Sequence, residues 1–310
     1  VVTMGSKEGL ASLATAITEP GDVVLAPNPS YPIHTFGFII AGATIRSVPT
    51  TPDENYFRSL DRAMAFTVPR PSILVVNYPS NPTAETVDLA FYERLVAWAK
   101  ENKVWILSDL AYSELYYDGN PTPSILQVPG AKDVAIEFTS LSKTYSMAGW
   151  RMGFAVGNAK LIAAMTRVKS YLDYGAFTPI QAAACAALNG PQDIVEKNRL
   201  LYHKRRDVLV ESFGRAGWDV PPPASTMFAW APIPPAYRHL GSLEFSKLLI
   251  EEAQVAVAPG IGFGEHGDDF VRIALVENEH LIRQAARNIR RFLASGAEDG
   301  QNVVSLRARS

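Results

Sequence analysis

Short β-branched apolar runs alternate with longer stretches whose apolar residues recur three to four positions apart, and this alternation restricts the possible folds more than any single motif. The runs at 22–26, 44–48, 73–77, 104–108, 134–139 and 153–156 read as strands. Between them, 7–18, 31–41 and 88–103 carry helical periodicity, as in Leu89, Tyr92, Leu95, Val96 and Ala99. Strands separated by helices of this length pair in parallel and bury both faces. The expected fold is therefore α/β, with a mainly parallel sheet between helical layers.

Past Gly190-Pro191, the charged stretch 194–214 keeps Leu201, Val208 and Leu209 at helical spacing and reads as a connecting helix. Beyond the prolines at 221–223, the segments 227–231, 243–253, 271–275 and 279–293 read as strand, helix, strand, helix. The expected division is a large domain at 1–193, the connecting helix at 194–214, a smaller C-terminal α/β domain at 215–294, and a polar tail at 295–310.

A formal charge of −2 and the absence of a basic run argue against a nucleic-acid partner. No apolar stretch of about 18 residues is available to span a bilayer. The single cysteine, Cys185, lies in the alanine-rich run 182–188 and reads as helix packing; it forms no disulfide within the chain and suits a reducing cytoplasm. The five histidines never take metal-ligand spacing, so no metal is expected.

Several segments carry chemistry. Ser140-Leu141-Ser142-Lys143 and Arg151 place one amine, which burial at a strand end would make nucleophilic, beside a hydroxyl and a guanidinium suited to phosphate. Gly5-Ser6-Lys7 precedes a helix expected to start near Glu8, where backbone N–H groups attract an anion; Ser6 serves equally well as an N-cap. Tyr31, in Asn28-Pro29-Ser30-Tyr31-Pro32, presents a stiff aromatic face for a flat ring or for packing. Asn77 and Asn81 follow an apolar strand and offer amide donors, or else form a proline-rich turn. Asp109 ends the run 104–108, where a carboxylate needs a cation or several donors unless it caps the next turn; Tyr112 follows three residues on. Arg272 shares a strand face with Phe270 and Ala274 and needs an anion, either a substrate carboxylate or an internal partner such as Glu277. Gly260-Ile261-Gly262-Phe263-Gly264 reads as a flexible turn, and Tyr171, Tyr174 and Phe177 read first as core packing, with an interface or pocket wall as the alternative.

Taken in order, these motifs resemble the class I aminotransferases of the fold type I pyridoxal-phosphate enzymes, over residues 1 to about 293. Within that family the likeness runs toward the bacterial alanine (glutamate-pyruvate) group, on Met4–Leu10, Asn28–His34, Ser170–Gly175 and Pro259–Gly264. The resemblance implies a three-layer α/β/α domain with a seven-stranded sheet, pyridoxal 5'-phosphate as cofactor, and a homodimer with active sites at the interface. It further implies that Lys143 holds the cofactor as an internal aldimine and then shuttles the proton. Asp109 would keep the ring nitrogen protonated, Asn81 and Tyr112 would meet the ring oxygen, and Tyr31 would stack on the ring. Ser6, Lys7, Ser140 and Arg151 would bind the phosphate, while Arg272 and Asn81 would bind the substrate. The implied reaction moves an amino group between a small amino acid, alanine foremost, and 2-oxoglutarate or pyruvate. Alternatives are an aminotransferase of diaminopimelate, aspartate or methionine type, a β-lyase, an effector-sensing domain, or an inactive fragment. The sequence departs from the family at Asn81-Pro82-Thr83-Ala84, where Asn-Pro-Thr-Gly is common. Family members also carry roughly a hundred further residues ahead of the point where this sequence starts, so a weakened site and an exposed dimer surface are expected.

Overall fold

The computed structural model describes residues 1–298, with side chains through 295. In chain order the elements are β1 (Val2–Thr3), α1 (Ser6–Ile17), β2 (Val23–Asn28), α2 (Ile33–Ile40), β3 (Thr44–Pro49), α3 (Tyr56–Phe66), β4 (Ile73–Asn77), α4 (Leu89–Asn102) and β5 (Trp105–Asp109). They continue with β6 (Ala135–Ser140), α5 (Leu141–Thr144), β7 (Gly153–Gly157), α6 (Ala159–Leu172), α7 (Thr178–Asn189) and α8 (Asp193–Arg215). The last are β8 (Phe228–Pro232), α9 (Gly241–Ala253), β9 (Ala258–Pro259), β10 (Phe270–Ala274) and α10 (Glu279–Glu298).

Two compact units result: Val1–Leu201 with Ala224–Thr226, and Tyr202–Pro223 with the chain from Met227 onward. The division falls inside α8, after Leu201, and the short segment 224–226 belongs with the first unit, so spatial grouping does not follow chain order there.

The first unit holds a seven-stranded sheet in the order β1-β7-β6-β5-β4-β2-β3. The pairs from β3 through β6 are parallel, and β7 runs antiparallel to both β6 and β1. Strand alternation divides the core into two layers. Leu74 and Val76 pack with Tyr56, Leu60, Tyr92 and Leu95 of α3 and α4, whereas Ile73 and Val75 pack with Leu10, Phe38, Leu161 and Met165 of α1, α2 and α6. Helices therefore cover both faces, as the near-continuous apolar strands require.

Helix boundaries follow local chemistry. Asp88 caps α4 by accepting from the Phe91 N–H at 2.8 Å, and Asn158 caps α6 through Lys160 and Leu161. Helices α3, α5 and α6 were not among the expected elements, and of α7 only the run 182–188 was read as helical. Helix α1 begins at Ser6, two residues ahead of the expected start, because Gly5 takes the N-cap position with φ of 82°.

The second unit pairs an antiparallel sheet, β8-β10-β9, with helices around a core of Phe213, Trp218, Phe245, Leu249, Val271 and Ile289. Strand β9 falls just before the glycine-rich segment read as a flexible turn, and residues 260–263 form a 3-10 turn that follows it directly. Helix α10 carries on to Glu298, because no proline or left-handed residue stops it at 294. The rest of the expected polar tail lies outside the described residues. Cys185 does sit on a helix, α7, but is exposed instead of packed, since its neighbour Ala184 takes the buried position.

Candidate active site

Parallel strands end along one edge of the sheet, and their C-terminal residues carry most of the polar groups singled out in the sequence. Asn77 and Asp109 are register partners at the ends of β4 and β5. The Asn77 amide donates to the Asp109 carbonyl at 2.8 Å, and its Oδ1 accepts the Asn81 N–H at 2.8 Å. Asn77 thus acts as a brace. It fixes Asn81, whose amide reaches the Tyr112 hydroxyl at 3.5 Å.

Asp109 is buried, and its Oδ2 lies 2.9 Å from Nε2 of the fully buried His34. The carboxylate therefore does not cap the following turn. Its Oδ1 is buried and without a hydrogen-bond partner. His34 was not proposed as a site residue; the available signal was its position three residues after Tyr31, at the start of the helical pattern of α2. The Tyr31 ring meets His34 edge-on, with centroids 6.0 Å apart, and the Lys7 ammonium sits 5.6 Å from the Tyr31 ring centroid.

The other end of this line is the start of α1. Gly5, in the left-handed half of φ space, lies under the Arg151 guanidinium; a Cβ there would stand 2.6 Å from Nη2. Arg151, also with positive φ, donates to the carbonyls of Met4 at 3.1 Å and Ala148 at 2.9 Å. Ser140 caps α5 by accepting from the Ser142 N–H, and its hydroxyl lies 2.8 Å from that of Ser142 and 3.2 Å from the Met152 carbonyl. Gly153 packs directly on Gly5, its missing Cβ leaving room for the Gly5 Cα at 2.9 Å. Ser6 is the first helical residue, behind the Gly5 N-cap, so its side chain does not hold the N-cap position.

Lys143 differs from the sequence expectation. It lies in the one-turn helix α5, three residues past the end of β6, and is half-buried instead of standing at a buried strand end. Ser140 sets the direction of that helix.

Arg272 belongs to the second unit. Val271 and Ile273 are buried on one face of β10, while Phe270 and Arg272 are half-buried on the other, as strand alternation requires. The guanidinium carbon lies 4.6 Å from the Phe263 ring centroid and 5.0 Å from that of Phe228, so aromatic faces orient it.

These groups fit a phosphorylated pyridine cofactor. The orphaned Oδ1 of Asp109 lacks the donor that a protonated ring nitrogen provides. Backbone N–H groups at the start of α1, the Ser6 and Ser140 hydroxyls and Arg151 are the groups that would hold its phosphate. An edge-of-sheet site with a carboxylate at one end and an anion cradle at the other defines a pyridoxal-phosphate enzyme of fold type I.

The chain belongs to the family Aminotransferase class I and II, whose profile it matches over residues 1–289, and it is a pyridoxal-phosphate-dependent aminotransferase. It is 66% identical to the provisionally named aminotransferase AatC of Rhizobium meliloti over 308 residues, covering 99% of this chain and 76% of that protein. It is 54% identical to the glutamate-pyruvate aminotransferase AlaC of Escherichia coli over 297 residues, covering 96% and 72%. Identity to the LL-diaminopimelate aminotransferase of Aquifex aeolicus is 45% over 288 residues, covering 93% and 74%. Among solved structures, BacF of Bacillus subtilis superposes with a TM-score of 0.89 at 35% identity, over 94% of this chain and 77% of that one.

Proposed function

We propose that the chain moves an amino group between alanine and a 2-oxo acid, 2-oxoglutarate or pyruvate. The bound cofactor supplies an electron sink for the pair released when the substrate Cα–H bond breaks. Lys143 would hold the cofactor through Nζ, and the same atom would take the substrate Cα proton and give it back, as base and then acid. The Asp109 Oδ1 would accept from the ring nitrogen, with His34 holding the carboxylate through Oδ2. Asn81 and Tyr112 would donate to the ring oxygen, Tyr31 would stack on the ring, and Ser6, Lys7, Ser140 and Arg151 would hold the phosphate. Arg272 would take the substrate α-carboxylate with its paired N–H groups, and Asn81 would also bind substrate.

The observation that carries the alanine reading is the 54% identity to a glutamate-pyruvate aminotransferase across 96% of the chain. The 45% identity to an LL-diaminopimelate aminotransferase supports a second reading, in which the donor is a longer diamino acid. A homodimer and a cytoplasmic setting go with either one. Steady-state rates with alanine, aspartate, methionine and LL-diaminopimelate against 2-oxoglutarate separate the readings. Alanine is expected to give the highest kcat/KM, and Lys143→Ala to abolish turnover. A higher kcat/KM for LL-diaminopimelate would overturn the alanine assignment, and release of pyruvate and ammonia from cystathionine would mark a β-lyase.

A further inference from the structure

The first turn of α1 is held by an ion cluster that the chemistry above leaves unused. Lys169, on α6, is buried, and its ammonium stands 3.0 Å from both carboxylate oxygens of Glu8 and 2.5 Å from Oδ2 of Asp173. Each carboxylate is occupied further. Glu8 accepts the Met4 N–H at 2.8 Å and the Ser12 hydroxyl at 2.5 Å, and Asp173 accepts the Gly175 N–H at 2.7 Å. Met4 in turn offers its carbonyl to Arg151. A continuous chain of polar contacts therefore runs from Lys169 through Glu8 and Met4 to the guanidinium over Gly5.

Two physical effects converge on the same end of α1. A carboxylate in a helix's first turn suits the helix dipole, but it repels a phosphate bound at that end. The Lys169 ammonium cancels that charge without removing the hydrogen bonds Glu8 makes. Burial works against a charge on Lys169, yet hydrogen bonds and attraction from Asp173 and Glu8 prevail and hold its pKa above the ordinary lysine value. For Asp173, burial pulls upward and is outweighed by Lys169 and the Gly175 N–H, which keep it below the ordinary range. The apolar contact between α1 and α6, through Leu10, Leu13, Leu161 and Met165, does not depend on this cluster.

We propose that Lys169 is a positioning residue for the phosphate end of the cofactor site, fixing the Met4–Gly5 turn and Arg151 through Glu8 while neutralising the Glu8 charge beside the phosphate. This rests on the cofactor placement argued above. The test is equilibrium titration of the cofactor-free full chain, followed by absorbance and tryptophan fluorescence, with pyridoxal 5'-phosphate and, separately, with pyridoxal. Lys169→Met is expected to weaken pyridoxal 5'-phosphate binding by about tenfold or more while pyridoxal binding changes by less than about twofold, and Lys169→Arg to restore most of the loss. Should Lys169→Met be recovered unfolded, Lys169→Gln, which keeps a donor for Glu8, is read the same way. Unchanged phosphate-ester binding, or equal weakening for both ligands, would overturn the proposal. A wild-type chain that binds neither ligand would overturn the cofactor placement, and the proposal with it, so the two failures are told apart.

Discussion

Asp109 was legible from the sequence because an acidic residue closing a largely apolar run has few ways to avoid a desolvation cost. His34 was not, since its partner lies 75 positions away and only the parallel pairing of the sheet brings the two together. Lys143 stands between these cases: its motif is plain, but the turn of helix that carries it depends on the Ser140 cap, which a residue-type reading does not reveal. The His34 pairing has a measurable consequence. His34→Ala would leave the Asp109 Oδ2 buried without a partner beside an Oδ1 that already has none in the cofactor-free chain. Loss of one partner in such a site costs about 1–3 kcal/mol. Urea unfolding of the cofactor-free variant is expected to show a decrease of that size, and an unchanged unfolding free energy would mean that the pair contributes nothing to the fold.

At the level of elements, β2, β4, β5 and β6 were legible because buried parallel strands are long apolar runs that little else imitates. The helices α6 and α7 were harder to read. Their buried faces are narrow, with Leu161, Met165 and Lys169 on α6 and Ala184 on α7, so the apolar period is weak. Polar residues inside strands were hardest of all. Glu137 lies in the middle of β6, buried, yet it clamps the chain around 124–125 to the sheet, accepting from the Ser124 hydroxyl at 2.5 Å, the Ile125 N–H at 3.1 Å and the Ser108 hydroxyl at 3.2 Å. Burial raises its pKa above 4.5; the three donors work against that shift, and the nearby Asp109 charge adds to it. In the window from 4.5 up to the raised value, the native state holds a proton that the unfolded state has lost. Stability from this group therefore falls as pH rises through the window and stays low above it. Glu137→Gln keeps an acceptor for Ile125 and a donor for a serine hydroxyl while removing the titration. Unfolding free energies measured from about pH 4 to about pH 8 are expected to diverge in favour of the variant as pH rises. Parallel curves for the two proteins would sink this account.

For the whole molecule, the sequence indicated an α/β chain with a second, smaller unit, but it could not say which apolar residues a single chain leaves uncovered. Tyr171, Tyr174 and Phe177 were expected first to pack in the core, yet they are 75%, 94% and 71% exposed, and Leu172 beside them is 68% exposed. Four large apolar side chains within seven residues are an unusual load for a free surface and mark an interaction face. A second copy of the chain is the occupant proposed, in keeping with the dimer that the family resemblance implies. The segment can be charged without disturbing its own backbone. Tyr174 has φ of 53°, a region that Asp tolerates better than Tyr does, and Phe177 occupies the N-cap of α7, where Asp is favoured. The double variant Tyr174→Asp, Phe177→Asp is therefore expected to shift the sedimentation coefficient from dimer to monomer. Because both side chains are exposed within one chain, the unfolding free energy of the monomer should move by no more than about 0.5 kcal/mol per site. A wild-type chain that sediments as a monomer, or a variant that stays dimeric, would place the interface elsewhere or remove it. Loss of the dimer together with loss of fold would instead make these aromatics part of the chain's own core, as the sequence reading first had them.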